Sequence, residues 1–213
     1  MNPSALTRPL ACIVLLAFGA CLVLALAGGE AQATEPAQHA GRGPVVGDTA
    51  PAFKVNDDQG RLWTLHQHLG KGPVVVYFYP AAMTSGCTTE ACSLRDRKSK
   101  LAEQGVTVVG ISGDSVRNIQ LFKKADQLNF TLLSDPGGFI AREYGVPIHG
   151  GGSILRKVAG QQYTLVRGST FSRWTFVLDR TGKIVYRNTD VNPAQNSAQV
   201  LAVVKKLQGK QGH

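Results

Sequence analysis

Short apolar runs are the most regular feature of the chain. Residues 72–80 read "GPVVVYFYP" and residues 106–112 read "VTVVGIS", both continuous stretches of apolar, β-branched or aromatic residues. Such runs are typical of strands that are buried on both faces of a sheet. Residues 130–135, "FTLLSD", have a similar but shorter pattern. We therefore predict three strands here, the first two of them fully buried.

Helical patterns alternate with these strands. Four segments have helical character: residues 84–105, 114–129, 137–146 and 192–209. Asp114 or Ser115 is the expected N-cap of the second helix. The last helix is expected to use Asn192 as N-cap and Pro193 in its first position, because the fixed backbone angle of proline suits a helix start.

Two further segments predict hairpins. Residues 52–70 contain two short strands around a turn at residues 56–60, and residues 173–188 contain two strands around residues 179–182. Strands alternating with helices, followed by a hairpin and a closing helix, are typical of an α/β layer fold.

One segment is harder to place. Within residues 147–172, residues 160–168 could form another strand, and the glycine run at residues 150–152 predicts a flexible loop. Residues 34–44 are polar and rich in small residues, which is typical of a linker. Because no second linker or internal repeat follows, we predict one domain over residues 45–213.

Residues 1–33 predict a leader. A single positive charge, Arg8, precedes an uncharged apolar run at residues 10–27, and the small-residue triplet at residues 31–33 suits a signal peptidase. A cleaved signal peptide is favoured over a retained N-terminal membrane anchor, and a lipoprotein site at Cys21 is the weakest alternative. All three export the rest of the chain to a periplasmic or other extracytoplasmic space.

Composition narrows the class of protein. With 17% charged and 43% hydrophobic residues, the chain is globular in type, not disordered or fibrous. The net charge of +9 could favour an anionic partner, but the basic residues are scattered, so a solubilising surface is the preferred interpretation. No basic stretch is interleaved with aromatic residues, and no nucleic-acid partner is expected.

The cysteines carry the candidate chemistry. Only Cys87 and Cys92 lie outside the leader, five positions apart in the segment predicted to be helical. In a helix that spacing corresponds to about 7.5 Å along the axis. A disulfide needs Cα atoms within about 6.8 Å and side chains that face each other. An intact helix therefore cannot hold this disulfide, and a transient one would have to unwind the helix.

Cys87 is expected in the first helical turn, directly after a strand. Free backbone N–H groups and the helix dipole there stabilise a thiolate and can hold a small polar substrate. Thr84 offers a hydroxyl to that substrate, and Pro80 would shield one side of the site. Cys92 would be a nearby thiol able to resolve an oxidised Cys87. On cysteine count alone, a plain structural disulfide in an exported protein is an equally good interpretation.

The segment "YFYPAAMTSGCTTEACSLRD", residues 77–96, resembles the active-site segment of peroxiredoxins, in which Pro, Thr and Cys recur as Pro80, Thr84 and Cys87 do here. A second cysteine five residues on, Cys92, resembles the peroxiredoxin Q group, also called bacterioferritin comigratory protein. The similarity extends through most of residues 45–207.

This resemblance implies a thioredoxin-like fold, with a central mixed sheet flanked by helices and extra N-terminal strands. It implies reduction of peroxides without a metal or bound cofactor, with re-reduction by a thioredoxin-like protein, and a monomer. Cys87 would be the peroxidatic nucleophile and Cys92 the resolving thiol. Arg173 stands where the family has an arginine before its "TFV" strand and would hold the thiolate, while Glu90 matches a family glutamate that positions such arginines.

Two departures from the family pattern are visible. The loop residues "AAM", 81–83, replace more polar ones, and the segment 147–172 is longer than expected. The alternatives are an oxidoreductase acting on protein thiols, a binding module with a structural disulfide, and a copper-delivery protein. The absence of a Cys-x-x-Cys pair argues against the first of these.

Overall fold

The structure, a computed structural model, describes residues 43–209. The predicted leader, most of the predicted linker and the last four residues lie outside this range, so the signal peptide, anchor and lipoprotein alternatives stay predictions. The elements in chain order are β1 (Lys54–Asp57), β2 (Leu62–Thr64), a 3₁₀ helix (Leu65–His68), β3 (Val74–Phe78), α1 (Ser85–Asp96), α2 (Lys98–Ala102), β4 (Thr107–Ser112), α3 (Val116–Ala125), β5 (Thr131–Ser134), α4 (Phe139–Glu143), β6 (Ile148–Val158), β7 (Gln161–Phe171), β8 (Trp174–Leu178), β9 (Ile184–Asn188) and α5 (Asn196–Gly209).

A mixed sheet forms the centre of this fold. Its strands lie in the order β2-β1-β5-β4-β3-β8-β9. Strands β3, β4 and β5 are parallel, whereas β1, β2, β8 and β9 pair antiparallel with their neighbours. The expected α/β fold with extra N-terminal strands is confirmed, because β1 and β2 extend one edge of the parallel strands.

Strand β3 is buried on both faces, as its apolar run predicts. Val75 and Tyr77 face one hydrophobic cluster, and Val74, Val76 and Phe78 face the other. This alternation follows from the two-residue period of a strand. Helices α1, α3 and α5 contribute buried side chains to the first cluster, and α4 contributes to the second. Strand β3 is followed by a short loop and then by α1, which packs on the face of the sheet that carries the first cluster.

The segment that sequence patterns could not place forms a long antiparallel hairpin of β6 and β7. Its turn is Ala159–Gly160, and both residues have positive φ (48° and 85°), as in the type I′ turns that suit two-residue hairpins. The prediction of a flexible loop at residues 150–152 is wrong, because these residues lie within strand β6 of the hairpin. Gly151 lies where the paired strand comes so close that a Cβ would be 2.0 Å from the carbonyl oxygen of Arg167.

Two predicted helices also differ in detail. The helix expected over residues 84–105 is divided at Arg97 (φ −98°, ψ 3°), whose guanidinium donates to the Ser197 hydroxyl at 2.9 Å. The last helix begins at Asn196, not at Pro193, because Asn192 and the residues after it form a turn in which the Asn192 side chain accepts from the Ala194 N–H. By contrast, Ser115 caps α3 as expected.

Between residues 43 and 209, no helix is long and apolar enough to cross a membrane.

Candidate active site

The site is built where β3 ends and α1 begins. Thr84 is the N-cap of α1 and has an extended backbone (φ −86°, ψ 153°). Cys87 is the third residue of the helix, and its side chain is buried with 1% of its surface exposed. The first N–H groups of a helix have no partner within it, so the sulfur lies beside donors that favour a negative charge.

Arg173 reaches Cys87 from the start of β8. Its Nη2 donates to the Cys87 Sγ over 3.3 Å, and its Nη1 donates to Glu90 one helical turn further along α1. The structure thus brings together two of the residues that the sequence predicts for the site. Gly86 lies beside the same guanidinium, and a Cβ there would be 3.4 Å from it, at the edge of ordinary van der Waals contact.

Glu90 is buried and links α1 to the C-terminal helix. Its Oε1 accepts from the Asn196 amide at 2.8 Å, and the same amide donates to the Thr175 hydroxyl at 3.0 Å. Burial raises the pKa of Glu90 to about 7, although Arg173 and Asn196 both favour the ionised form. Burial would lower the pKa of Arg173, but Glu90 and Cys87 outweigh it and the pKa is raised, so the guanidinium stays charged.

Pro80 lies in the loop before α1 and Thr84 at its end, and neither forms a hydrogen bond with the Cys87 sulfur. The Thr84 hydroxyl donates to the Ala81 carbonyl at 3.0 Å, which leaves its oxygen able to accept. Pro80 is half-buried at the start of the loop. Both residues therefore lie on the loop side of Cys87, while Arg173 reaches the sulfur from the start of β8.

A buried ion pair holds the middle of this loop. Asp114 accepts from the Ala82 N–H at 2.7 Å and from Arg167 at 2.8 Å, and Arg167 in turn donates to the Ala82 carbonyl at 3.2 Å. Both partners are almost fully buried. Both backbone groups of Ala82 are thus fixed by side chains from distant parts of the chain.

Cys92 lies on the same helix in a different setting. Helix α1 is unbroken from Ser85 to Asp96 and both thiols are free, as the spacing argument requires for an intact helix. Cys92 is half-buried, and burial raises the pKa of its thiol while Arg95 opposes the shift. The structure does not place the two sulfurs in contact.

Several site residues have no signal in the sequence. Asn196, Asp114 and Arg167 reach the site from α5, from the end of β4 and from the hairpin, far from the cysteine motif. Each is an ordinary polar residue in its local pattern. Only knowledge of which strands lie side by side would have identified them.

A buried cysteine at a helix start, held by an arginine over a mixed sheet, defines a class of enzymes that use a thiol for redox chemistry. Residues 46–187 match the AhpC/TSA family. Peroxiredoxin Q of Oryza sativa subsp. japonica is 38% identical over 162 residues, covering 76% of this chain and 67% of the relative. Peroxiredoxin Q of Sedum lineare is 39% identical over 163 residues, covering 76% and 78%.

Solved structures give the same result. Peroxidoxin BcpB from Mycobacterium tuberculosis is 34% identical with a TM-score of 0.63, covering 76% of this chain and 96% of that one. A peroxiredoxin Q structure from Xanthomonas campestris is 28% identical with a TM-score of 0.60, covering 72% and 90%. The chain belongs to the AhpC/TSA family and, within it, to the peroxiredoxin Q group. It is a thiol-dependent peroxidase with a thioredoxin-like fold.

Proposed function

We propose that this enzyme reduces hydrogen peroxide and organic hydroperoxides through Cys87, with Cys92 as the resolving thiol. The contact of the Cys87 sulfur with Arg173 Nη2, at 3.3 Å, carries the proposal. It places a permanent positive charge and directional donors beside a sulfur at a helix N-terminus. The alkyl peroxide reduction activity of the Xanthomonas campestris bacterioferritin comigratory protein, which is 27% identical to this chain, supports the wider range of substrates.

In the first step the Cys87 thiolate attacks one oxygen of the peroxide and the O–O bond breaks. Cys87 becomes a sulfenic acid, and the departing oxygen takes a proton and leaves as water or an alcohol. Arg173 and the first N–H groups of α1 stabilise the charge that moves onto this oxygen. The Thr84 hydroxyl, which donates to the Ala81 carbonyl, accepts a hydrogen bond from the O–H of the incoming peroxide. Pro80 keeps one side of the sulfur shielded.

In the second step Cys92 attacks the Cys87 sulfur. The S–O bond breaks, the hydroxyl leaves as water with the proton of the Cys92 thiol, and a disulfide forms. Because α1 holds the two residues five positions apart, its first turns must unwind for the sulfurs to meet. A thioredoxin-like dithiol protein then reduces the disulfide by thiol–disulfide exchange.

The proposed setting is outside the cytoplasm, with the enzyme acting as a monomer. The apolar run and small-residue site in the first 33 residues support export. Whether the leader is cleaved or anchors the protein is decided by sequencing the N-terminus of the protein recovered from cells.

Steady-state turnover tests the function. We expect the protein to consume peroxide in the presence of a dithiol reductant, and Cys87→Ser to abolish consumption. Cys92→Ser should allow one turnover and then stop, unless a small thiol is added. Full multi-turnover activity in Cys87→Ser would exclude Cys87 as the nucleophile.

A further inference from the structure

The β6–β7 hairpin extends to the loop that precedes Cys87. Its inner face carries Val158 and Leu165, which are buried in the same hydrophobic cluster as Met83 and Cys87. Residues on the opposite face, such as Lys157, are exposed. The long segment that distinguishes this chain is therefore packed against the site, and one of its inward side chains touches the loop itself.

That side chain is Arg156, which pairs with Tyr163 across the hairpin. Its Nε donates to the backbone carbonyl of Met83 at 2.7 Å, and its Nη1 donates to the carbonyl of Leu155 at 2.8 Å. The guanidinium thus joins the hairpin backbone to the backbone of the active-site loop. Hydrogen bonds from a charged donor are stronger than those between neutral groups.

The conformation of Met83 gives this contact its importance. Met83 has a φ of 62°, in the left-handed region that disfavours a residue with a Cβ. It directly precedes Thr84, the N-cap of α1. The direction of the Met83 carbonyl fixes the plane of the Met83–Thr84 peptide, so the same contact fixes the approach of the chain to the helix that carries Cys87.

Two arginines of the hairpin therefore hold consecutive carbonyls of one loop. Arg167 holds that of Ala82, but it also forms the buried ion pair with Asp114, so its loss would leave a buried charge unpaired. Arg156 is half-buried and forms no ion pair within residues 43–209. Its removal is therefore the cleaner test of what the hairpin does for the site.

We propose that Arg156 is a positioning residue for peroxide reduction: it holds Met83 in its left-handed conformation and so orients Thr84 and the first turn of α1 around Cys87. This inference rests on the proposed role of Cys87 as the peroxidatic thiol. Arg156 touches neither peroxide nor sulfur. Its effect reaches the reaction through the backbone of residues 83–84.

The test measures the second-order rate constant for oxidation of Cys87 by hydrogen peroxide, using rapid quenching and mass spectrometry of the reduced protein. Arg156→Met should lower it about tenfold, the size of effect expected for losing a charged hydrogen bond. Lys157→Met removes the same charge from the exposed face of the same strand and should leave it unchanged. Arg156→Lys keeps the charge and should show a smaller loss than Arg156→Met.

A double-mutant cycle separates positioning from general support of the fold. Glycine adopts positive φ without a steric cost. Met83→Gly should therefore make the hydrogen bond from Arg156 to the carbonyl of residue 83 less necessary. In a Met83→Gly background, Arg156→Met should cost much less than its effect in the parent. Support of hairpin packing alone predicts an undiminished loss in that background, together with a lower urea midpoint.

The outcomes distinguish the role of Arg156 from the proposed function of the enzyme. If the parent protein is oxidised at Cys87 and Arg156→Met reacts equally fast, the role of Arg156 is overturned and the proposed function stands. An undiminished loss in the Met83→Gly background overturns it as well. If peroxide does not oxidise Cys87 in the parent, both proposals fail.

Discussion

Helix α1 carries two thiols, those of Cys87 and Cys92, in different surroundings. At the N-terminal end, Cys87 is 1% exposed and is held by Arg173, with buried Glu90 and Asn196 behind it. Five residues further along the helix, Cys92 is half-buried and burial raises the pKa of its thiol. Position on the helix, not residue type, therefore separates the setting of the proposed peroxidatic thiol from that of the proposed resolving thiol.

The anchoring of the helix differs in the same way. Beyond Cys92, Arg95 donates to the Asp126 carbonyl at 2.6 Å and accepts at its own carbonyl from Asn129. Lys98 also donates to the Asn129 carbonyl. These bonds fix the C-terminal end of α1 to the loop between α3 and β5. The proposed disulfide therefore requires the turns that carry Cys87 to leave their contacts with Arg173 and Asn196, whereas the residues beyond Cys92 can stay in place.

The largest contrast should come from matched arginine substitutions at the two ends. Arg173→Lys keeps a charge but loses the fork that serves Cys87 and Glu90 together, so we expect oxidation of Cys87 to slow about 100-fold. Arg95→Lys changes the other end and should leave that step unaltered. Stopped-flow measurement of thiol oxidation compares them. Equal rates for Arg173→Lys and the parent would remove Arg173 from the reaction.

A second contrast concerns the buried acid behind Cys87. The pKa of Glu90 is raised by burial from 4.5 to about 7, so the folded protein binds a proton there that the unfolded chain releases. Stability from this group is complete below pH 4.5 and is lost as the pH rises through 7. Between pH 5 and 7.5 the free energy of unfolding should fall by about 2 kcal/mol because of it.

Urea unfolding of the reduced protein at the two pH values measures this loss. Glu90→Gln cannot titrate and should have a flatter pH dependence, whereas Glu103→Gln, at an exposed position, should behave as the parent does. Identical pH dependence in Glu90→Gln and the parent would show that Glu90 is not the titrating group.

The smallest expected effect is a local one. Amide hydrogens of residues 85–94 should exchange faster in the disulfide form than in the reduced form, because the disulfide requires unwound turns. Strand β3 and residues beyond Arg95 should change little, since the latter stay bonded to the α3–β5 loop. Hydrogen exchange with mass spectrometry measures each segment. Equal protection of residues 85–94 in both forms would rule out resolution by unwinding.

The sequence predicts some elements of the fold better than others. Strands β3 and β4 are buried on both faces, so their apolar runs identify them without any knowledge of their neighbours. The β6–β7 hairpin has mostly exposed positions and no such run. Its glycines indicate flexibility by composition, yet Gly151 is required by the close approach of the paired strand.

The residues of the candidate site also differ in how well the sequence predicts them. Cys87, Thr84 and Pro80 lie within one short motif, which identifies them as candidates, whereas Arg173 is a candidate only through the resemblance of its segment to the family. Asn196 could not be predicted, because the helix start expected at Pro193 lies three residues too early. Arg156 could not be predicted either, since its partner is a backbone carbonyl 73 positions away, which no side-chain pattern records.

The division of roles between the two thiols is tested most directly by trapping the first oxidised sulfur. The reduced protein is mixed with one equivalent of hydrogen peroxide in the presence of a sulfenic-acid-specific nucleophile, and the labelled peptides are identified by mass spectrometry. We expect the label on Cys87 in the parent protein. Cys92→Ser should carry more of it on Cys87, because the resolving thiol is gone. Cys87→Ser should carry none on Cys92. A label on Cys92 in Cys87→Ser, formed as fast as that on Cys87 in the parent, would contradict it.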